Sequence, residues 1–295
     1  IYTTMTLLLI FLLVCFGMPL FDSFCLAFGT AGTGGFAVSS AGVAGYGSLA
    51  IEVVLGIFML LFGINFSVYH LIMLRKFKEA FCMEEVKVYL SIVFLSTLAI
   101  MFNIAKMAGG FGHALRQSFF QVASIITTTG FATVDFELWP EFSKHILVLL
   151  MIIGACAGST GGGMKISRVI ILAKSFVAEI RQIINPKEII TVRLNDAVVD
   201  KKTLDSTRIY VAAYMILLCL FTLVISLDGL DFTTNFTAVI SCFNNIGPGL
   251  AGVGPMANFS VYSDWAQVVL SAAMLTGRLE IFPMLLLFAR SAHDR

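Results

Sequence analysis

Apolar residues run along this chain in long blocks. Seven blocks approach the roughly 20 residues that a bilayer-crossing helix needs: Thr3–Leu20, Leu49–Leu74, Val86–Ala105, Phe142–Ala155, Ile166–Ile180, Tyr210–Leu227 and Tyr262–Ala289. Between them lie three shorter stretches, Phe21–Ser40, Ala114–Thr133 and Phe232–Gly254, which are rich in Thr, Ser and Gly and too short or too polar to span.

The three shorter stretches share a plan. Each opens with a run suited to a short helix (Phe21–Phe28, Leu115–Ile126, Phe232–Phe243). Each closes on a Gly-bearing tail: Gly29 to Phe36, Ile126 to Thr133, Phe243 to Gly249. Aligned on Gly34, Gly130 and Gly247, they recur at spacings of 96 and 117 residues. The pattern predicts an all-α membrane protein of repeated helix–pore loop–helix units around a central pore. The expected units are residues 1–80, 81–180 and 209–295. Residues Arg181–Arg208 form a polar insertion that accounts for the longer second interval. Its middle, Ile189–Val199, alternates around Asn195-Asp196, which fits a small hairpin outside the membrane and equally a solvated linker.

Charge sets the orientation. Arg75, Lys76, Lys78 and Lys87 follow the first unit. Lys165, Arg168, Lys174, Arg181, Lys187, Arg193, Lys201, Lys202 and Arg208 follow the second. The opposite side holds only Lys106, Arg116 and Lys144, against Asp22, Glu52, Asp135, Glu137, Glu141, Asp228, Asp231 and Asp264. The positive-inside rule makes the basic side cytoplasmic, so the loops open outward onto an acidic mouth that would gather cations.

Composition narrows the function. The 295 residues are 58% hydrophobic and 13% charged, with a mean hydropathy of +0.94. Soluble domains carry about 25% charged residues, so a soluble enzyme or nucleic-acid binder is excluded. A net charge of +1 gives no footprint for polyanions. The six Cys show no CxxC spacing and read as small buried hydrophobes. The four His (His70, His113, His145, His293) lie far apart, so a membrane-embedded enzyme lacks its cluster. The chain is expected not to be an enzyme and to need no cofactor.

The loops carry the candidate chemistry. Non-helical backbone at membrane depth is tolerated where protein buries it or where it lines a watery path. Gly permits the backbone to turn carbonyls inward, and inward carbonyls replace the hydration shell of a monovalent cation. No acidic residue lies within the loops, whereas a divalent site would want carboxylates. Taken singly, each loop also reads as an ordinary Thr-Gly surface loop; three in register read as one pore. The segment Gly154–Lys165 breaks a helix through Gly158–Gly163, which fits a mobile gate. It fails as a phosphate loop, because Met164 stands where Lys is required and no strand precedes it. Arg278, inside the last apolar block, either partners carbonyls freed by that break or snorkels to the cytoplasmic interface. A secondary transporter for a small organic solute would also use broken helices, but would predict inverted repeats.

Thr127–Ala132, Trp139-Pro140, Gly154–Lys165, Asn244–Gly249 and Gly277–Ile281 closely resemble the Trk/Ktr/HKT superfamily, with the best fit to the bacterial Trk-type potassium uptake membrane subunit. The resemblance implies four channel-like repeats, a potassium filter and potassium as the transported ion at filter carbonyls; a Na+/K+ transporter of the same superfamily is the alternative. By position, the filter would comprise Thr33, Gly34 and Gly35; Thr129, Gly130 and Phe131; and Ile246, Gly247 and Pro248. Gating would fall to Gly158, Gly161, Gly162, Gly163, Lys165 and Arg278. The implied partners are the inner (plasma) membrane, a second copy in a homodimer, and a cytosolic nucleotide-binding regulatory ring that meets Arg181–Arg208. Three of the expected four repeats are found. The chain begins at Ile1 rather than Met, so the expectation is a chain lacking its N-terminal repeat, unable alone to close a selective filter.

Overall fold

The computed structural model describes residues 1–39, 42–187, 191–195, 197–279 and 281–287. The expectations resting on Ser40, Ile189, Asp196, Glu280, Ala289 and His293 lie outside these residues. The apolar blocks form helices that Gly, Pro and Asn cut shorter than hydropathy alone predicts. The first block ends at Cys15 in α1 (Tyr2–Cys15), because Gly17 turns the chain at φ 88° and Pro19 starts α2 (Leu20–Ala31).

The second block is two helices rather than one. α3 (Leu49–Phe62) and α4 (Phe66–Met73) meet at 89°. Asn65 makes the bend by capping α4, its Oδ1 accepting from Ser67 N at 2.9 Å. Gly63 is required there, since a Cβ would stand 2.6 Å from the Tyr89 hydroxyl and 2.8 Å from Thr127 Cγ2. A short α5 (Phe77–Cys82) leads into α6 (Glu84–Ile104), whose 21 residues reach about 31 Å at 1.5 Å each. α7 (Phe111–Ile126) starts one turn earlier than its sequence predicts. α8 (Glu141–Ile153) stops before Gly154, and α9 (Ile166–Ile184) resumes after the break. In the polar insertion, β1 (Arg193–Leu194) pairs antiparallel with β2 (Ala197–Val198), Arg193 opposite Val198. α10 (Lys201–Ile225), α11 (Phe232–Phe243), α12 (Asp264–Arg278) and α13 (Ile281–Leu287) complete the order.

By length and composition, α6 and the span Lys201–Asp228 can each cross a membrane, and the bent α3–α4 pair forms a third candidate. Their outer faces carry exposed Phe94, Leu95 and Phe102 on α6 and Ile216, Leu220 and Leu223 on α10. Polarity lies inside instead. The second halves of α7 and α11, Phe120–Ile126 and Thr237–Phe243, are buried all round. Their Ser and Thr side chains brace the chain that returns from each helix end. Ser124 Oγ donates to Phe131 O at 2.6 Å. Ser241 Oγ accepts from Gly247 N at 3.0 Å, and Thr237 Oγ1 from Leu250 N at 2.9 Å. Buried polar groups need such partners, and here the partners fix the returning segments.

Candidate ion pathway

The short helices α2, α7 and α11 end alike. Each places a non-Gly residue in the left-handed region two positions past its last residue: Thr33 (φ 52°), Thr128 (φ 57°) and Asn245 (φ 56°). The next amide folds back five residues, Gly34 N to Gly29 O at 2.7 Å, Thr129 N to Ser124 O at 2.9 Å and Ile246 N to Ser241 O at 2.9 Å. Three identical helix stops of the Schellman type follow. One residue further, Gly35, Gly130 and Gly247 take φ of 68°, 87° and 114°.

This sets the register of the repeat. Gly35, not Gly34, matches Gly130 and Gly247, and Thr33 matches Thr128 and Asn245 rather than Thr129. The Gly34-Gly35 doublet leaves the choice open in sequence; the end of α2 at Ala31 decides it. Gly34 and Gly35 therefore correspond to Thr129 and Gly130, and to Ile246 and Gly247, with Phe36, Phe131 and Pro248 next.

The three segments stand side by side. A Cβ on Gly35 would collide with the Thr129 carbonyl, and one on Gly130 with the Ile246 carbonyl. Each Gly thus lets one segment press against the carbonyl of the next. Among the described residues, nothing lies within 4 Å of the same position on Gly247.

Beneath the helix ends runs the broken segment. Its neck is closed by backbone bonds from Met164 N to Ile152 O, Lys165 N to Ile153 O and Ile166 N to Ala155 O, at 3.0–3.2 Å. Its body fits against all three helix ends. Gly161 has no room for a Cβ against Ala155 and Thr127 O, and a Cβ on Gly162 would strike Asn244 O. Gly162 N donates to Thr128 Oγ1 at 2.6 Å, and Thr33 Oγ1 donates to Thr160 O at 3.1 Å. The Thr160 carbonyl also accepts from Arg278 Nη1 at 3.4 Å, and Lys165 Nζ donates to Gly161 O. Gly158 and Gly163 adopt φ of 66° and 78°. A cavity of about 360 Å³ opens below, lined among others by Gly161–Gly163, Lys165, Arg168 and Arg278. Lys165, Arg168 and Arg278 bring three cationic side chains to it.

The bend between α3 and α4 helps to hold this segment. It frees carbonyls that a continuous helix would use. Phe62 O accepts from Thr160 N at 3.4 Å and Gly63 O from Cys156 N at 3.1 Å, while Phe66 N donates to Gly158 O at 3.0 Å. Two broken helices thus satisfy each other's backbone.

Glu85, which stands unremarked in the link whose basic residues set the orientation, is 4% exposed. Its Oε1 accepts from Ala157 N at 2.6 Å and Ser167 N at 3.2 Å. α9 has no side-chain cap from Lys165, so this carboxylate serves its positive end from another helix. The available signal was a Glu pair at the head of an apolar block, where a link needs only solvation. Thr128 was likewise missed, hidden in a run of three threonines.

The acidic residues expected at an outer mouth are in part committed to local contacts. Glu52 takes a bidentate pair from Arg116 at 2.6 and 2.7 Å. Glu137 accepts from Ala251 N at 2.7 Å and Lys144 at 3.2 Å. Asp228 accepts from Ser263, and Asp22 from Tyr46. Asp231 caps α11 through Thr234 N and Oγ1, and those bonds hold its carboxyl below the usual range. The side remains net negative, but several of its charges also build the loops.

Comparison with known proteins follows the same outline. The TrkH family model, described as a cation transport protein, matches residues 108–294. The chain is 32% identical to the Trk system potassium uptake protein TrkG of Escherichia coli, over 98% of this chain and 60% of that protein. It is 33% identical to the TrkH protein of Salmonella typhimurium, with the same coverage. The crystal structure of the potassium transporter TrkH from Vibrio parahaemolyticus superposes with a TM-score of 0.90 at 30% identity, covering 99% of this chain and 63% of that one. The chain spans about 60% of the length of the curated relatives it matches.

Proposed function

Because the chain belongs to the TrkH cation transport family, whose members are membrane proteins, we propose that it forms most of a potassium uptake pathway across the cytoplasmic membrane. The observation that carries this reading is the three equivalent helix ends, with Gly35 packed against the Thr129 carbonyl and Gly130 against the Ile246 carbonyl. Carbonyls so arranged can replace the hydration shell of a monovalent cation. The filter reading assigns ion contact to Gly34, Gly35, Thr129, Gly130, Phe131, Ile246, Gly247 and Pro248. Thr33, one step below, supports that layer. The fourth segment that the family resemblance implies would stand at Gly247, where nothing among the described residues lies within 4 Å of a Cβ.

The loop carrying Gly158, Gly161, Gly162 and Gly163 acts as the gate. It lies under every helix end, and Lys165 and Arg278 hold its carbonyls. With Arg168, these residues line the space below the loop. A cytosolic nucleotide-binding ring that contacts residues 181–208 would drive that movement, and a second copy would complete a dimer with one pore per protomer.

The test is rubidium uptake into liposomes holding the full-length protein, compared with sodium and with an amino acid. Rubidium uptake that potassium suppresses supports the reading; uptake of the amino acid alone overturns it. For the gate, Arg278→Ala and deletion of Gly158–Gly163 should each raise flux. An unchanged flux in both rejects the loop as gate.

A further inference from the structure

Thr33 and Thr128 stand one step below the filter segments, at the left-handed residue that closes their helices. Gly is the usual choice there, and Asn the next, because a Cβ is penalised. A β-branched residue suits that backbone worst of all. Two threonines at two equivalent positions therefore need a reason beyond stopping a helix.

Their hydroxyls supply one. Thr33 is 3% exposed and Thr128 fully buried. Thr128 Oγ1 accepts from Gly162 N at 2.6 Å, and Thr33 Oγ1, shared with Gly32 O, donates to Thr160 O at 3.1 Å. The two bonds grip the loop on either side of Gly161. At the third helix end, Asn245 Nδ2 donates instead to Met274 O at 3.0 Å, one turn before Arg278. Arg278 in turn meets the carbonyl that Thr33 holds. All three left-handed residues thus reach the loop or the helix that restrains it.

We propose that Thr33 and Thr128 are positioning residues that clasp the loop to the base of the filter, coupling the loop's position to the ends of the pore helices. The inference rests on the loop being the gate. It predicts an unusual pairing of effects, because Gly at these sites relieves the backbone while releasing the loop.

The experiment uses the full-length protein in liposomes with Thr128→Val, Thr128→Gly, Thr128→Ser and Thr33→Val. Hydrogen exchange of the 156–163 amides and rubidium flux are read together. Loss of one such bond should speed exchange and raise flux by about three- to tenfold in the Val and Gly variants. Potassium-over-sodium preference should hold, and Thr128→Ser should behave as wild type. Thr128→Gly should do this with an unchanged or raised melting midpoint, which a simple packing defect would not give. Unchanged exchange in both Thr128→Val and Thr128→Gly overturns the clasp. Faster exchange with unmoved flux overturns the coupling if deleting Gly158–Gly163 does raise flux. If that deletion is also silent, the clasp stands and the gate reading fails.

Discussion

Gly130→Ala tests the proposed filter at its tightest point. Gly130 sits at φ 87°, where a side chain costs about 1–2 kcal/mol. Its new Cβ would collide with the Ile246 carbonyl oxygen, 2.9 Å from the carbonyl carbon and 3.2 Å from Pro248 Cδ. That carbonyl cannot swing freely. The amides on either side of it are tied, Ile246 N to Ser241 O at 2.9 Å and Gly247 N to Ser241 Oγ at 3.0 Å. The carbonyl must retreat by about 1 Å or more, against a working tolerance of about 0.5 Å for a preorganised site. If the shift removes 1.4 kcal/mol of discrimination, the potassium-over-sodium ratio falls about tenfold. The assay is competitive rubidium and sodium uptake by the full-length protein. Gly229→Ala is the control: its φ is 81° but nothing lies within 4 Å, so it carries the backbone cost without the collision. A Gly130→Ala protein with a ratio within about twofold of wild type would falsify the reasoning.

Three other outcomes follow from the same contacts. Glu85→Ala strands the Ala157 and Ser167 amides, each worth about 1–3 kcal/mol when buried without a partner; Glu85→Gln keeps an acceptor, so equal melting midpoints for the two variants would contradict the anchor. Glu52→Gln should cost on the order of 2 kcal/mol, the low end for a desolvated pair because Arg116 is one-third exposed. The double change Glu52→Leu/Arg116→Leu should recover most of the loss that either Leu change alone produces, and a purely additive cycle of these three variants in thermal unfolding would reject the coupling. Asp231→Ala should remove a helix cap worth about 1 kcal/mol at neutral pH. Its carboxyl is held low, by Thr234 hydroxyl and backbone bonds first, so the stabilisation is full above the unfolded value near pH 4 and lost as pH falls through the lowered one. Melting curves of wild type and variant should converge in acid; a constant gap would show that the charge is not what caps.

The repeat and the broken helix were legible because both depend on local chemistry. Gly clusters cannot sustain a helix, and Thr-Gly tails after short apolar runs recur wherever they serve the same turn. The register of the first repeat was not legible. Gly34 and Gly35 are adjacent and equally able to adopt φ > 0, so only the position at which α2 stops distinguishes them. The bend at Gly63–Asn65 was present in sequence as a Gly followed by a capping Asn, yet both lie inside 26 residues of strong hydropathy, which outweighs two residues in any window.

The mutual support of the two breaks explains why the rest stayed hidden. A carbonyl freed in mid-membrane has no water to turn to, so a lone break at Gly63 would be costly. The break at Gly154–Lys165 would face the same cost. Joined, they are compatible: Gly63 O receives Cys156 N, Phe62 O receives Thr160 N, and Gly158 O receives Phe66 N. Glu85 closes the same junction from a third helix. Each residue looks unremarkable in its own segment, since its partner lies about 70–100 positions away. The loop is therefore mobile in composition but anchored in context. If the loop is the gate, as proposed, opening requires the bonds at Thr160–Gly162 to be exchanged. Thr33, Thr128 and Arg278, side chains from three different repeats, hold part of that set, and Lys165 and the Phe62 carbonyl hold the rest, so control by the proposed gate would be shared among them.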